Sequence, residues 1–320
     1  MALGIEGARH ALASNALGDR DEHRGAVFAE ASLRGPGALD LSLGIRADRH
    51  ESWGGHLSPS VAVARELGSV LALRGSWGRA FRGPTWTERH YADPGHLPNP
   101  DVAPESGSAW EAGVQVRPGE GVSLSVAAHT RTVEDLIDWA RPVHDGSPVA
   151  GGDPAPTPAP WVPSNVSRAR FQGVEVEGSW VHDAVGRISL AASTLSARAR
   201  RAPGFESKYA LRPLTRKVTL GIERSVPLGG GDLEGQLGVR LTHARRGAVR
   251  SLDDGGVLSP GEPSFQELDL RLGLPLSALP GGRSRIYLDL RNLLDAEDPD
   301  LTGNPVAGRA LYLGVEVGGR

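Results

Sequence analysis

The chain has 320 residues, with 35 Lys and Arg against 38 Asp and Glu, and a net charge of −3. That balance argues against nucleic-acid binding driven by bulk charge. The absence of cysteine excludes disulfide frameworks, thiolate metal sites and cysteine nucleophiles.

In chain order, alternation of apolar and polar residues marks one strand after another. Leu39, Leu41, Leu43 and Ile45 alternate with Asp40, Ser42, Gly44 and Arg46. The pattern returns at Val122–Ala128, Val218–Ile222, Leu268–Leu274, Ile286–Leu290 and Leu311–Val317. Each apolar row fits one face of an antiparallel strand. About 14 segments qualify on this criterion: 2–13, 24–34, 38–49, 56–67, 69–81, 107–117, 121–141, 160–181, 185–200, 209–226, 232–247, 263–276, 283–293 and 307–318. Several are far longer than the five or six residues usual in soluble sheets. Long strands of uniform alternation predict an all-β chain, an antiparallel up-and-down transmembrane β-barrel with its apolar face on lipid and its polar face on the lumen. No apolar run reaches the about 18 residues of a membrane helix, and Met1–Glu6 lacks the pattern of a signal peptide.

The connections alternate in length. Tight turns fall at Gly35-Pro36-Gly37, Leu67-Gly68, Pro118-Gly119-Glu120 and His182-Asp183-Ala184, and the same parity continues at 227–231 and 277–282. Long loops fall on the other parity, at 82–106, 142–159, 201–208, 248–262 and 294–306. Outer-membrane barrels separate periplasmic turns from extracellular loops in this way. Trp110, Trp139 and Trp161 near long-loop ends, with Trp180 near a short-turn end, are expected to form two interfacial girdles. An aromatic content of only 5% runs against that expectation.

Several elements resemble the TonB-dependent outer-membrane receptor family. Ser76-Trp77-Gly78-Arg79-Ala80-Phe81-Arg82-Gly83-Pro84-Thr85 is similar to that family's strand entering a Phe-Arg-Ala-Pro loop, with Gly83 in place of alanine. Pro98-Asn99-Pro100-Asp101-Val102-Ala103-Pro104-Glu105 resembles its Asn-Pro-Asn/Asp-Leu-x-Pro-Glu element. Trp110–Val114, Asp138-Trp139, Asn165, Phe171–Glu177, Asn292–Asp295 and Gly303-Asn304-Pro305 with Gly308-Arg309 follow in the family's order.

The resemblance implies a C-terminal portion of a larger barrel of about 22 strands with a plugged lumen. In the family a plug domain and an energy-coupling box precede the barrel. The receptor takes up a scarce small chelate of iron or cobalt, such as an iron–siderophore, cobalamin or haem, and the TonB complex pulls on the plug. The expectation for residues 1–320 is therefore a partial barrel domain, a fragment without plug, TonB box or signal peptide, placed in the Gram-negative outer membrane and not transport-competent alone. Such a fragment reaches TonB only through the missing plug and box.

Site candidates come from the loops. Trp86, His90, Tyr91 and His96 lie between the Phe81–Pro84 and Pro98–Glu105 elements. An imidazole there is a possible axial ligand for haem iron, and the aromatic rings suit a flat ligand; solvated loop histidines are the plainer account. Arg198, Arg200 and Arg201 top one strand, and Arg245, Arg246 and Arg250 top the next but one. They are candidates for a rim that binds lipopolysaccharide phosphates, with ordinary arginine usage as the alternative. The acidic run Asp295, Glu297, Asp298 and Asp300 lacks a calcium-loop spacing. Pro154–Pro160 is a stiff extended loop. No hydrolase, zinc or phosphate-loop motif is present, so no catalytic residue, cofactor, resident metal or nucleic-acid partner is expected. Two other readings stand beside the receptor: a plugless diffusion pore closed by about 14 strands, and a soluble β-rich enzyme.

Overall fold

A computed structural model describes residues 1–142, 159–200, 205–208, 213–227, 234–259, 261–276, 284–297 and 308–317. Seventeen strands and one short helix occur among the described residues. The long strands are β1 (Ala2–Leu12), β2 (Arg20–Gly35), β3 (Leu39–His50), β4 (Gly54–Leu67), β5 (Leu71–Arg82), β6 (Glu105–Gly119), β7 (Val122–Pro142), β8 (Val162–His182) and β9 (Gly186–Arg200). They continue with β11 (Leu214–Pro227), β12 (Glu234–Arg246), β15 (Ser264–Pro275), β16 (Arg285–Arg291) and β17 (Ala310–Glu316). All fourteen coincide with segments expected from alternation. The helix α1 (Trp86–His90) and the strands β10 (Phe205–Ser207), β13 (Val249–Ser251) and β14 (Val257–Ser259) do not. Three to five residues are too few for a period to show.

Each long strand pairs antiparallel with the next long strand, from β1·β2 through β16·β17. The registers set apolar row against apolar row. Leu190 lies opposite Leu220, Leu220 opposite Leu241, and Leu241 opposite Leu268. Leu270 meets Leu290, which meets Leu311. A slip of one residue would turn every one of these side chains to the other face. The row is exposed throughout: Ile5, Val27, Leu43, Leu124, Leu190, Leu220, Leu272 and Leu313 all stand on the outer surface. A continuous apolar exterior of this extent is the hallmark of a wall facing lipid.

The opposite rows are polar. Arg271, Asp289, Arg240, Glu223, Arg291 and Tyr312 line a concavity of about 1070 Å3 on the inner side of β9–β17. Charges on the inner rows are neutralised across strands: Arg24 and Arg46 both reach Glu6, Arg74 reaches Glu111, Arg271 lies 3.4 Å from Asp289, and Arg285 lies 3.2 Å from Glu316. Among the described residues no register joins β17 to β1, and each has one edge without a described partner.

At one end of the sheet the turns are short; Gly121 and Gly186 hold positive φ there (72° and 90°), a backbone state that favours glycine. At the other end the chain builds upward. The buried apolar cluster sits there, from Val133, Leu136, Ala169, Ala197, Ala199 and Val249, with Phe171 and Leu258 against it. Its Val249 and Leu258 belong to the β13–β14 hairpin, which lies along the top of β9 in a parallel pairing where β11 no longer reaches.

Trp110 is 59% exposed beside Trp77 and Trp180 is 42% exposed, as an interfacial girdle requires. Trp139 and Trp161 depart from the expected girdle. They are half-buried and pack inside the long-loop cluster, Trp139 edge-on to His96 and Trp161 beneath Arg141.

Candidate ligand-binding loops

The loop between β5 and β6 is held down by the residues that carried the sequence resemblance. Arg82, the last residue of β5, donates to both carboxylate oxygens of Glu88 at 3.1 Å and lies 3.2 Å from Glu105. Both carboxylates are nearly buried, and Glu105 also accepts the Ile137 backbone N–H of β7 at 2.9 Å. Glu88 caps its own helix reciprocally: Thr85 Oγ1 accepts the Glu88 N–H, and the Glu88 carboxylate accepts the Thr85 N–H at 2.7 Å. This capping box starts a helix only five residues long.

The second element is anchored in the same manner. The Asn99 side chain donates to the Pro163 carbonyl at 2.8 Å. Asn165 accepts the Ala103 N–H and donates to the carbonyls of Ala103 and Asp135, all within 2.9 Å. Asp135 holds φ 53°, and the Asn165 bond fixes this kink in β7. Gly83 has a direct reason to depart from alanine: a Cβ there would fall 2.8 Å from the Trp53 ring. Trp53 itself stacks on His50 at 4.1 Å and packs against Phe81.

The four loop candidates separate on this scaffold. His96 has both ring nitrogens engaged: Nδ1–H donates to Asp93 at 2.9 Å and Nε2 lies 2.8 Å from the Lys208 ammonium. Tyr91 donates to the same Asp93 at 3.0 Å. The hydrogen bond from His96 is the main cause that holds the Asp93 carboxyl below its ordinary value, and the bond to Asp93 raises the Tyr91 phenol. Backbone bonds from Leu97 to Trp161 and from Trp161 to Gly95 close the cluster, and the Lys208 N–H bonds the Trp139 carbonyl. His96 and its neighbours therefore knit three loops together, with Tyr91 bracing Asp93 from the same loop, and His96 offers no vacant nitrogen to an iron ion.

Trp86 and His90 lie on α1. Trp86 buries its indole Nε1 without a hydrogen bond of normal geometry. Burial, then the nearby Arg20 and Arg89 charges, push His90 below its ordinary pKa, so its imidazole is neutral at pH 7. Arg89 pairs with Glu22 of β2, which also accepts from Ser52 at 3.1 Å. Beside this pair is a cavity of about 320 Å3 lined by His10, Glu22, Asp48, His50, Trp53 and Phe81 among others. Sequence reasoning missed this group, because its members come from four strands and a turn with no shared spacing. No group of three or more His, Asp or Glu side chains is placed to hold a metal ion among the described residues.

Of the arginine candidates, strand register brings Arg198 and Arg250 together, through β13. Arg250 pairs in register with Arg198, and Arg200 bonds Asp253 at 2.9 Å. Arg245 donates to the Glu262 carbonyl at 3.3 Å. Arg246 lies at the end of β12. Arg201, most of 154–160, Asp298, Asp300 and Gly303–Pro305 lie outside the described residues.

Comparison with known proteins adds an independent line. The family model "TonB dependent receptor-like, beta-barrel" matches residues 6–293. A vitamin B12 transporter BtuB of Vibrio vulnificus is 26% identical over 133 residues, which is 42% of this chain and 19% of that protein. The siderophore receptor PirA of Pseudomonas aeruginosa superposes with a TM-score of 0.66 at 16% identity, over 98% of this chain and 50% of that one. The FrpB iron transporter of Neisseria meningitidis gives 0.62 at 16% identity, over 92% of this chain and 45% of that one. The chain thus spans about half the length of the solved receptors it matches, and their likeness is one of fold.

Proposed function

Since the chain belongs to the TonB-dependent receptor β-barrel family, we propose that it forms the wall and loop tower of a Gram-negative outer-membrane receptor for a scarce iron or cobalt chelate, of siderophore or cobalamin type. The observation that carries this reading is the union of an exposed apolar exterior, its rows paired from strand to strand, with a polar concave interior and loops gathered at one end. Lipid accounts for the first, a hydrated lumen for the second, and capture of a solute for the third.

The open edges of β1 and β17 favour completion by further strands. In hydrocarbon an unpaired backbone group costs several kcal/mol, so a spanning sheet must close. The same argument weighs against a pore made of this sheet by itself. Transport energised by TonB belongs, in this proposal, to a receptor that also has a plug, and nothing in residues 6–293 is read as an enzyme.

The test is fractionation and binding. The protein expressed with an outer-membrane leader is expected in the outer-membrane fraction. There it should resist extraction by carbonate and bind labelled ferric siderophore or cobalamin. Recovery as a soluble protein without detergent would overturn the proposal. A steady ion conductance in planar bilayers without chelate binding would favour the diffusion pore.

A further inference from the structure

We propose that the outward face of β8, β9, β11 and β12, immediately past the apolar band at the long-loop end, is a site for the phosphate groups of lipid headgroups. The inference rests on the membrane-spanning reading above. Strand register places Arg170 opposite Arg198, with Arg250 on the far side of Arg198, and Arg216 opposite Arg245. All five are exposed. They continue the rows of Val174, Leu190, Val218 and Leu241 with the same parity, so they face the surroundings and not the lumen.

Like charges placed directly opposite each other weaken a sheet. Elsewhere the chain avoids the problem by pairing its arginines with carboxylates, as in Arg9 with Asp21 on the outer face and Arg46 with Glu6 on the inner. At the margins of this patch it does so again, Arg168 with Glu134 and Arg200 with Asp253. Within it, Arg170, Arg198 and Arg216 make no ion pair with any described residue. Arg250 and Arg245 each give one hydrogen bond to a backbone carbonyl, of Gly255 and Glu262, and keep the rest of their forks. A cluster of opposed, exposed guanidinium groups with no anion paired to it among the described residues is complementary to an external one, and phosphate fits the fork with two parallel bonds.

Position selects the source. The row of Arg216 and Arg245 follows directly on Val218 and its neighbours, two residues further along the strands. A lipid whose tails cover the apolar band holds its phosphate at this level. A soluble phosphate gains nothing from the apolar rows beneath.

The experiment uses the full chain folded in non-ionic detergent. It is titrated with a diphosphorylated glycolipid in mixed micelles, with a zwitterionic phospholipid, and with inorganic phosphate at equal phosphate concentration. Bound lipid is counted by native mass spectrometry and the melting temperature is followed. The parent is expected to retain the phosphorylated lipid and to melt higher with it. The variant Arg170→Gln/Arg198→Gln/Arg216→Gln is expected to bind it about tenfold or more weakly, through loss of charge-assisted bonds. In non-ionic detergent alone the variant should melt no lower than the parent, because repulsion has been removed. Arg198→Lys, which keeps charge without the fork, should fall between them. Equal lipid retention by parent and triple variant, or an equal rise in melting temperature with inorganic phosphate, overturns the site. A parent that enters micelles but retains no lipid defeats this inference alone; one that stays dissolved without detergent defeats the membrane reading as well.

Discussion

Two regions at the same end of the sheet treat charge in opposite ways. Between β5 and β6, Arg82 is shared by Glu88 and Glu105, Arg89 is paired with Glu22, and His96 is held between Asp93 and Lys208. On the outer face of β8–β12, arginines oppose arginines. Where charge is satisfied internally, the residues build the loop; where it is not, the partner lies outside the molecule. A polar residue in a loop of this fold is therefore read by its partners before its chemistry.

The largest expected effect breaks the braced region. Arg82→Ala leaves the nearly buried Glu88 and Glu105 without their cation, at a cost of about 2–3 kcal/mol once the partial exposure of Arg82 is allowed for. Hydrogen exchange at the Ile137 and Asn99 amides should accelerate while the amides of β2 and β3 keep their protection. Next comes Gly83→Ala, which forces a methyl against Trp53 and should cost about 1–3 kcal/mol in thermal or urea melts. Trp53→Leu in the same chain should recover part of that loss, which a backbone-strain origin would not allow. Asn165→Ala removes three bonds that tie Ala103 and the Asp135 kink, and should cost about 1–2 kcal/mol, read by faster exchange at Ala103.

The smaller effects sharpen the contrast. Raising ionic strength should stabilise the arginine face slightly, by up to about 0.5 kcal/mol in detergent, as like charges are screened. The Arg82 brace should respond less. Acidification should act on the braced side. His90 has a folded pKa below its unfolded value, so the unfolded chain binds the proton first as pH falls below about 6.5. The stability His90 gives is complete above that value and declines through the window beneath it. Asp93 behaves likewise at lower pH, because its folded carboxyl is depressed mainly by His96: its contribution is present above its ordinary value and lost as pH falls through the depressed one. Local melting of α1, followed by Trp86 fluorescence, should appear as pH falls below about 6.5 and be absent in His90→Gln.

Much of this fold was legible in the sequence, and for a definite reason. Period-two alternation is a property of each strand alone, so the fourteen long strands could be placed without knowing their neighbours. The order of the Phe81–Pro84 and Pro98–Glu105 elements was legible too, but their role as a brace was not. That role depends on Ile137, Pro163 and Asn165, more than thirty residues away in sequence. The aromatic girdle was half legible: Trp110 and Trp180 keep the lipid-facing parity, whereas Trp139 and Trp161 lie where loops fold over the strand ends. Of the arginines, those at strand tops were visible by position. Arg170 and Arg216 were not, since only register reveals that each stands opposite another arginine.

The pairing order has a consequence for how the wall forms and varies. Every long strand contacts the long strands before and after it, and the hairpin β13–β14 is a local addition to β9 and not a new path through the sheet. Contact order is accordingly low for a sheet of this size, and the structure approximates a one-dimensional array whose free energy is a sum over adjacent hairpins. Growth from any formed hairpin needs only short loop closures at each step. Insertion or deletion of a hairpin at either end leaves all other registers untouched, so the number of strands can change by twos while the rows of leucine and valine stay in line.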